Sequence, residues 1–181
     1  MRKIVAGLSV SLDGVTESPP DWMMLNHEAD EVIRGSIAES DAILLGRNTY
    51  ADFARMWPGL GDSSPMAAFL NNTPKYVVSS TLAELDWSGS TLLGADLAAE
   101  LTALKGKPGK NIHIPGSPRL VHSLLLAGLL DELNLLIHPI VLGSGARLFE
   151  SPSDRVALEL AASRTFENGV LSVTYRPKPG S

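Results

Sequence analysis

Cysteine is absent from this sequence, which excludes disulfides, thiolate nucleophiles and thiolate-bound metals. The absence fits a reducing compartment, and a cytoplasmic location is expected. Long apolar runs are missing too. No stretch approaches the ~18 residues that a membrane helix needs, so no membrane partner is expected. The opening MRKIVAGLSVSLDG is broken by charge and turn residues, with no small-residue cleavage site after it, and reads as a strand and not as a signal peptide. Positive charge is in deficit. Lys and Arg number 15 against 20 Asp and Glu, and a formal net charge of -5 argues against a nucleic-acid partner. The four histidines, His27, His113, His122 and His138, have no metal-ligand spacing, so no metal site is expected. His113, inside a strand, reads as a packed or hydrogen-bonded residue.

What the 181 residues do contain is an ordinary globular balance, 44% hydrophobic, with no repeat, low-complexity tract or clear linker. A single domain over residues 1–181 is expected, long enough for a sizeable core. Strand-like and helix-like segments alternate. Strands are read at 3–10, 41–46, 75–80, 90–94, 111–116 and 132–143, and helices at 27–38, 49–55, 96–106 and 118–129. The segment MWPGLGDSSPM reads as loop, and residues 157–176 as a hairpin about Glu167-Asn168-Gly169. The alternation predicts a mainly parallel α/β sheet, closed by antiparallel strands.

Ligands of open α/β sheets bind beyond the carboxyl ends of the strands, and three such ends are small and polar. At Gly46-Arg47-Asn48-Thr49 the glycine lets a ligand approach the backbone, Thr49 suits a helix cap, and Arg47 offers a planar fork for phosphate. A tight turn with a solvated arginine is the plainer reading. Ser79-Ser80-Thr81 supplies three hydroxyls that either bind phosphate or cap a turn. In IPGSPRLV, Gly116 makes a turn, Ser117 suits an N-cap and Pro118 the first helical position, which leaves N–H groups pointing above the strand. A structural αβ turn explains the same residues. Asp30 shares a helix face with Ile33 and Ile37, a spacing that places a carboxyl on an apolar stripe where it can hold a proton. An Asp30–Arg34 surface pair is the alternative.

In this order, SLDG, LLGRNTY, VVSS, IPGSPRLV and LAGLLDELNLLIHPIVLGSGARLF resemble the dihydrofolate reductase-like superfamily. The resemblance is closer still to the C-terminal reductase domain of the bifunctional riboflavin-biosynthesis deaminase-reductase, in its stand-alone bacterial form. It implies a three-layer α/β/α fold, NADPH as hydride donor and a homodimer. It also implies cofactor contacts at Ser9, Gly46, Arg47, Asn48, Thr49, Ser79, Ser80, Ile114, Gly116, Ser117 and Leu120. Asp13, in the turn after the first strand, is placed with the substrate. Trp22 is a loop residue that either stacks on a flat substrate ring or packs. Asp30 lies sixteen residues before Gly46, the spacing of the catalytic carboxylate in bacterial dihydrofolate reductases. Pro115-Gly116-Ser117 departs from the Gly-Gly pair often seen in those enzymes. The deaminase half is not expected, because it needs cysteine-bound zinc. The leading expectation is hydride transfer from NADPH to a C=N bond of a pyrimidinone- or pterin-like substrate, of the 5-amino-6-(5-phosphoribosylamino)uracil reductase type. The alternatives are a true dihydrofolate reductase and a non-catalytic nucleotide-binding protein of the same fold.

Overall fold

The computed structural model describes residues 1–150 and 155–178. Eight strands run through it: β1 (Ile4–Ser11), β2 (Ser40–Gly46), β3 (Lys75–Val78), β4 (Ser90–Leu93), β5 (Asn111–Pro115), β6 (Glu132–His138), β7 (Leu158–Thr165) and β8 (Leu171–Pro177). They form one sheet in the order β4-β3-β2-β5-β1-β6-β8-β7. Pairing is parallel from β4 to β6, and β8 runs antiparallel to both β6 and β7. This is the mainly parallel sheet with a C-terminal antiparallel hairpin that the alternation predicts.

Helices cover both faces. They are α1 (His27–Ala38), α2 (Arg47–Met56), α3 (Pro65–Asn72), α4 (Leu97–Gly106) and α5 (Pro118–Leu126). On β1, Ile4, Ala6, Leu8 and Val10 alternate into the larger core, where they meet Leu101 and Leu104 of α4 and Leu120, Val121 and Leu124 of α5. The opposite face of β2 carries Ile43 and Leu45, packed with Tyr50 of α2 and Leu70 of α3. Ala29 of α1 joins Leu136, Phe166 and Val170 farther along that side. The layers are therefore α4–α5, sheet, and α1–α3. β2 reads AILL because both its faces are covered, as parallel strands require.

Besides β3 and α5, which end at Val78 and Leu126 and not at 80 and 129, three elements differ from expectation. Helix α3 occupies residues read partly as loop: Ser64 caps it by accepting from Ala67 N–H, and Pro65 stands in its first turn. β6 stops at His138 and not at 143; Pro139 follows, and the chain then leaves the sheet. α2 begins at Arg47, two residues before Thr49. No helix among the described residues is long and apolar enough to cross a membrane.

Candidate active site

On the α1–α3 side of β1 the alternating positions are not large and apolar but small, Gly7 and Ser9. They floor a cleft of about 970 Å³. The floor continues through His113 on β5, Asn134 on β6 and Ser172 on β8, and the walls include Val32, Ile33 and Ser36 of α1, Phe53 of α2 and Trp57 just past its end. A layer of helices thus stands off the sheet because the strands below present little bulk.

The cleft reaches the carboxyl ends of β2 and β5, where α2 and α5 begin. Gly46, Arg47, Asn48 and Thr49 line it from one helix, and Gly116, Ser117 and Leu120 from the other. Neither helix has a side-chain cap. Ser117 occupies the cap position of α5 in a left-handed conformation, φ 54°, but its Oγ is turned away and accepts the Gly46 N–H at 3.0 Å. The hydroxyl that was expected to cap one helix instead ties the two helix starts together. Thr49, expected as the cap of α2, is inside its first turn. Gly46 lies against α5, where a Cβ would meet Leu120 Cβ at 3.5 Å in ordinary contact. Two positive helix ends with open N–H groups therefore face one end of the cleft, an arrangement that attracts phosphate.

Arg47 joins the second polar corner to the first. Its Nη1 donates to Thr81 Oγ1 at 2.9 Å. Ser79 Oγ accepts from the N–H groups of Thr81 and Leu82, so it shapes the turn. Ser79 and Ser80 do not line the cleft itself; they precede Thr81, the residue that the Arg47 guanidinium contacts. Ile114 is fully buried in the α4–α5 core, below the turn and out of reach of the cleft.

Three further residues, Asp30, Asp13 and Trp22, also lie outside the cleft lining. Asp30 is exposed and outside the cleft. Successive helix positions turn by about 100°, and the arc of α1 turned inward holds Ala29, Val32, Ile33 and Ser36; Asp30 falls just past its edge. No ion pair joins it to Arg34 among the described residues. The acid that α1 does bury is Glu28, which accepts the Glu167 N–H at 2.8 Å and pairs with Arg164 at 2.7 Å. The Glu167 N–H, with Asn26 and Arg164, holds its carboxyl below the usual range. Asp13 is a clasp. Its carboxylate accepts from Ser11 Oγ at 2.7 Å and from the N–H groups of Leu142 and Gly143 at 3.1 and 2.9 Å, bonds that hold it well below the ordinary carboxylate range. Those bonds pin the segment after β6 to the turn after β1, and Asp13 does not line the cleft. Trp22 packs edge-on to His138 at 5.5 Å and donates Nε1 to Glu17 O at 2.8 Å, also outside the lining.

The cleft also holds Trp57, which the sequence places beside it in a flanking loop as it does Trp22, and His113, which the sequence reads only as a packed residue. His113 is 6% exposed, and burial pushes its imidazole down to about 4, so it is neutral at physiological pH. Its Nδ1 is enclosed without a hydrogen-bond partner, and so is Nε1 of Trp57. The signal was available in the alternation: Gly7, Ser9, His113 and Asn134 are the small or polar members of otherwise apolar strands, all on one face.

A family profile described as RibD C-terminal domain matches residues 2–172. YyaP of Bacillus subtilis (strain 168), an uncharacterized protein, is 31% identical over 180 residues, covering 96% of this chain and 94% of its own. A pyrimidine reductase-like protein from Corynebacterium diphtheriae NCTC superposes with a TM-score of 0.68 at 18% identity, over 98% of this chain and 92% of that one. The dihydrofolate reductase of Enterococcus faecalis, complexed with NADP(H) and RAB-propyl, superposes with a TM-score of 0.64 at 18% identity, over 97% and 96%.

Proposed function

This chain belongs to the RibD C-terminal domain family, and on that footing we propose that it is an NADPH-dependent reductase of a pyrimidinone- or pterin-like heterocycle. The observation that carries the reading is the junction of α2 and α5 at one end of the cleft, where the Gly46 N–H meets Ser117 Oγ at 3.0 Å. The residues fit a dinucleotide. Two uncapped helix starts suit a pyrophosphate. The Arg47 guanidinium, bonded to Thr81 of the Ser79-Ser80-Thr81 turn, suits the further phosphate of NADPH. Gly46, Asn48, Thr49, Gly116 and Leu120 border the same end, and Ser9 leads toward the floor. When bound, NADPH supplies the hydride. The chain's own part is to hold the cofactor's charged end outside and leave the apolar half of the cleft, between Ile33, Phe53 and Trp57, for a planar ring with water displaced. A homodimer, and a riboflavin-precursor substrate of the 5-amino-6-(5-phosphoribosylamino)uracil type, belong to the same proposal.

The test is NADPH oxidation with a panel of that uracil, dihydrofolate and a blank. Turnover of the uracil supports the reading, and turnover of dihydrofolate alone assigns the chain to folate reduction. NADPH binding without any turnover marks a non-catalytic nucleotide-binding protein.

A further inference from the structure

His113 stands in the middle of the sheet, on β5 between β1 and β2, with Val5 and Ile43 as its register partners. Its neighbours Ile112 and Ile114 face the α4–α5 core, so its ring faces the cleft side. The approach of the ring depends on a glycine. A Cβ on Gly7 would lie 3.1 Å from Cε1 and 3.7 Å from Nε2 of His113, and Phe69 closes the other side with ring centroids 6.3 Å apart. The Cε1–Nε2 edge therefore comes up beside Gly7 in the cleft floor, while Nδ1 is enclosed with no partner.

That enclosure selects a tautomer. A neutral imidazole carries one N–H and one lone pair. An orphaned buried N–H is rarer than an orphaned acceptor, so the lone pair belongs on the enclosed Nδ1 and the proton on Nε2. Among the polar groups of the floor, which also include Ser9, Asn134 and Ser172, His113 then presents an uncharged donor whose proton is fixed on Nε2. Resting on the reductase reading above, we propose that His113 is a specificity-determining residue whose Nε2–H donates to a ring carbonyl oxygen of a planar cyclic amide. The substrate class is thereby narrowed to rings bearing a carbonyl at the buried edge, as against rings with an amino group there, which would set donor against donor.

The experiment compares two probes, 5,6-diaminouracil and 2,4,5,6-tetraaminopyrimidine, in which amino groups replace both carbonyls. Each is titrated by calorimetry into the wild-type chain and into His113→Phe at pH 8, with NADPH affinity measured in parallel. The wild type should bind the uracil about 2- to 10-fold tighter, the worth of one neutral hydrogen bond, and the variant should lose that preference while keeping its NADPH affinity. A preference retained in the variant, absent from the wild type, or unmeasurable because neither probe binds overturns the assignment. Loss of NADPH binding in the wild type would instead overturn the reductase reading. Because the variant changes a central strand, the wild-type imidazole is also followed by ¹⁵N NMR. His113 should carry its proton on Nε2, and that resonance should move when 5,6-diaminouracil is added. A proton on Nδ1, or an unmoved resonance, refutes the proposal without any variant.

Discussion

At Arg47 the guanidinium uses Nη1 on Thr81 Oγ1, and no ion pair among the described residues engages the rest of its fork. A charge-assisted contact to the extra phosphate of NADPH is worth about 1.5–3 kcal/mol. Arg47→Ala should therefore weaken NADPH roughly 10- to 100-fold and NADH far less; equal losses in a fluorescence titration would remove the 2′-phosphate role. Asp30 is expected to be dispensable. It is exposed and outside the cleft lining, so Asp30→Asn should leave both turnover and NADPH affinity within about twofold, as for surface substitutions generally. A marked fall in turnover would show that the cleft rearranges to reach it. His113 makes stability depend on pH. Its folded pKa, about 4, lies below the ordinary 6.5. Below pH 6.5 the unfolded chain takes up a proton that the folded chain refuses. This residue's contribution is thus complete above 6.5 and is lost as pH falls toward 4, with about 2 kcal/mol gone by pH 5. His138, also depressed by burial, acts in the same direction. Urea melts at pH 7 and pH 5 should show a smaller loss in His113→Phe than in the wild type.

At the scale of elements, Lys75 shows how a helix end and a strand are locked. The side chain is fully buried, and its Nζ donates to the carbonyls of Leu70, Asn71 and Thr73 at 2.8, 3.2 and 2.9 Å, at the end of α3. Trp87 covers the ammonium at 4.5 Å. Lys75→Met fills similar space but strands three carbonyls. It should cost about 2–3 kcal/mol, a drop of roughly 5–10 °C in Tm by calorimetry for a chain of this size. Elements with a regular pattern were legible before the structure: β1, β2, α1, α4 and the closing hairpin lie where apolar periodicity and turn residues put them. α3 was hidden because Gly59, Gly61 and Pro58 mark the segment before it as loop, though the Ser64-Pro65 start was in plain view. β6 was read too long because the apolar IVL after Pro139 looks like more strand, whereas Asp13 holds that stretch off the sheet. The polar helix starts at one end of the cleft were legible from local glycine, serine and arginine. The Ser117 hydroxyl was not, since its partner Gly46 N–H lies 71 residues away. His113 was read as a packed residue and is one, but its place in the cleft floor was not read, because the gap over Gly7 is not a local property.

For the whole molecule, the apolar β6 is an interior strand between β1 and β8, so its apolarity is explained by the sheet itself. β7 is different. It ends the sheet, is mostly exposed, and offers one unpaired row of backbone groups. The expected assembly is a homodimer, so light scattering at micromolar concentration should give twice 19.3 kDa; a mass near 19.3 kDa would refute it. The sheet order has another consequence, for synthesis. Of the eight strands of this sheet β1 is made before the others, yet its neighbours are β5 and β6, at Asn111–Pro115 and Glu132–His138. At about 5–20 residues per second, the ribosome takes several seconds to deliver those partners. Throughout that interval the apolar Ile4–Val10 segment has no sheet to enter, and the nascent chain depends on whatever shields it until the middle of the sheet closes around its own beginning.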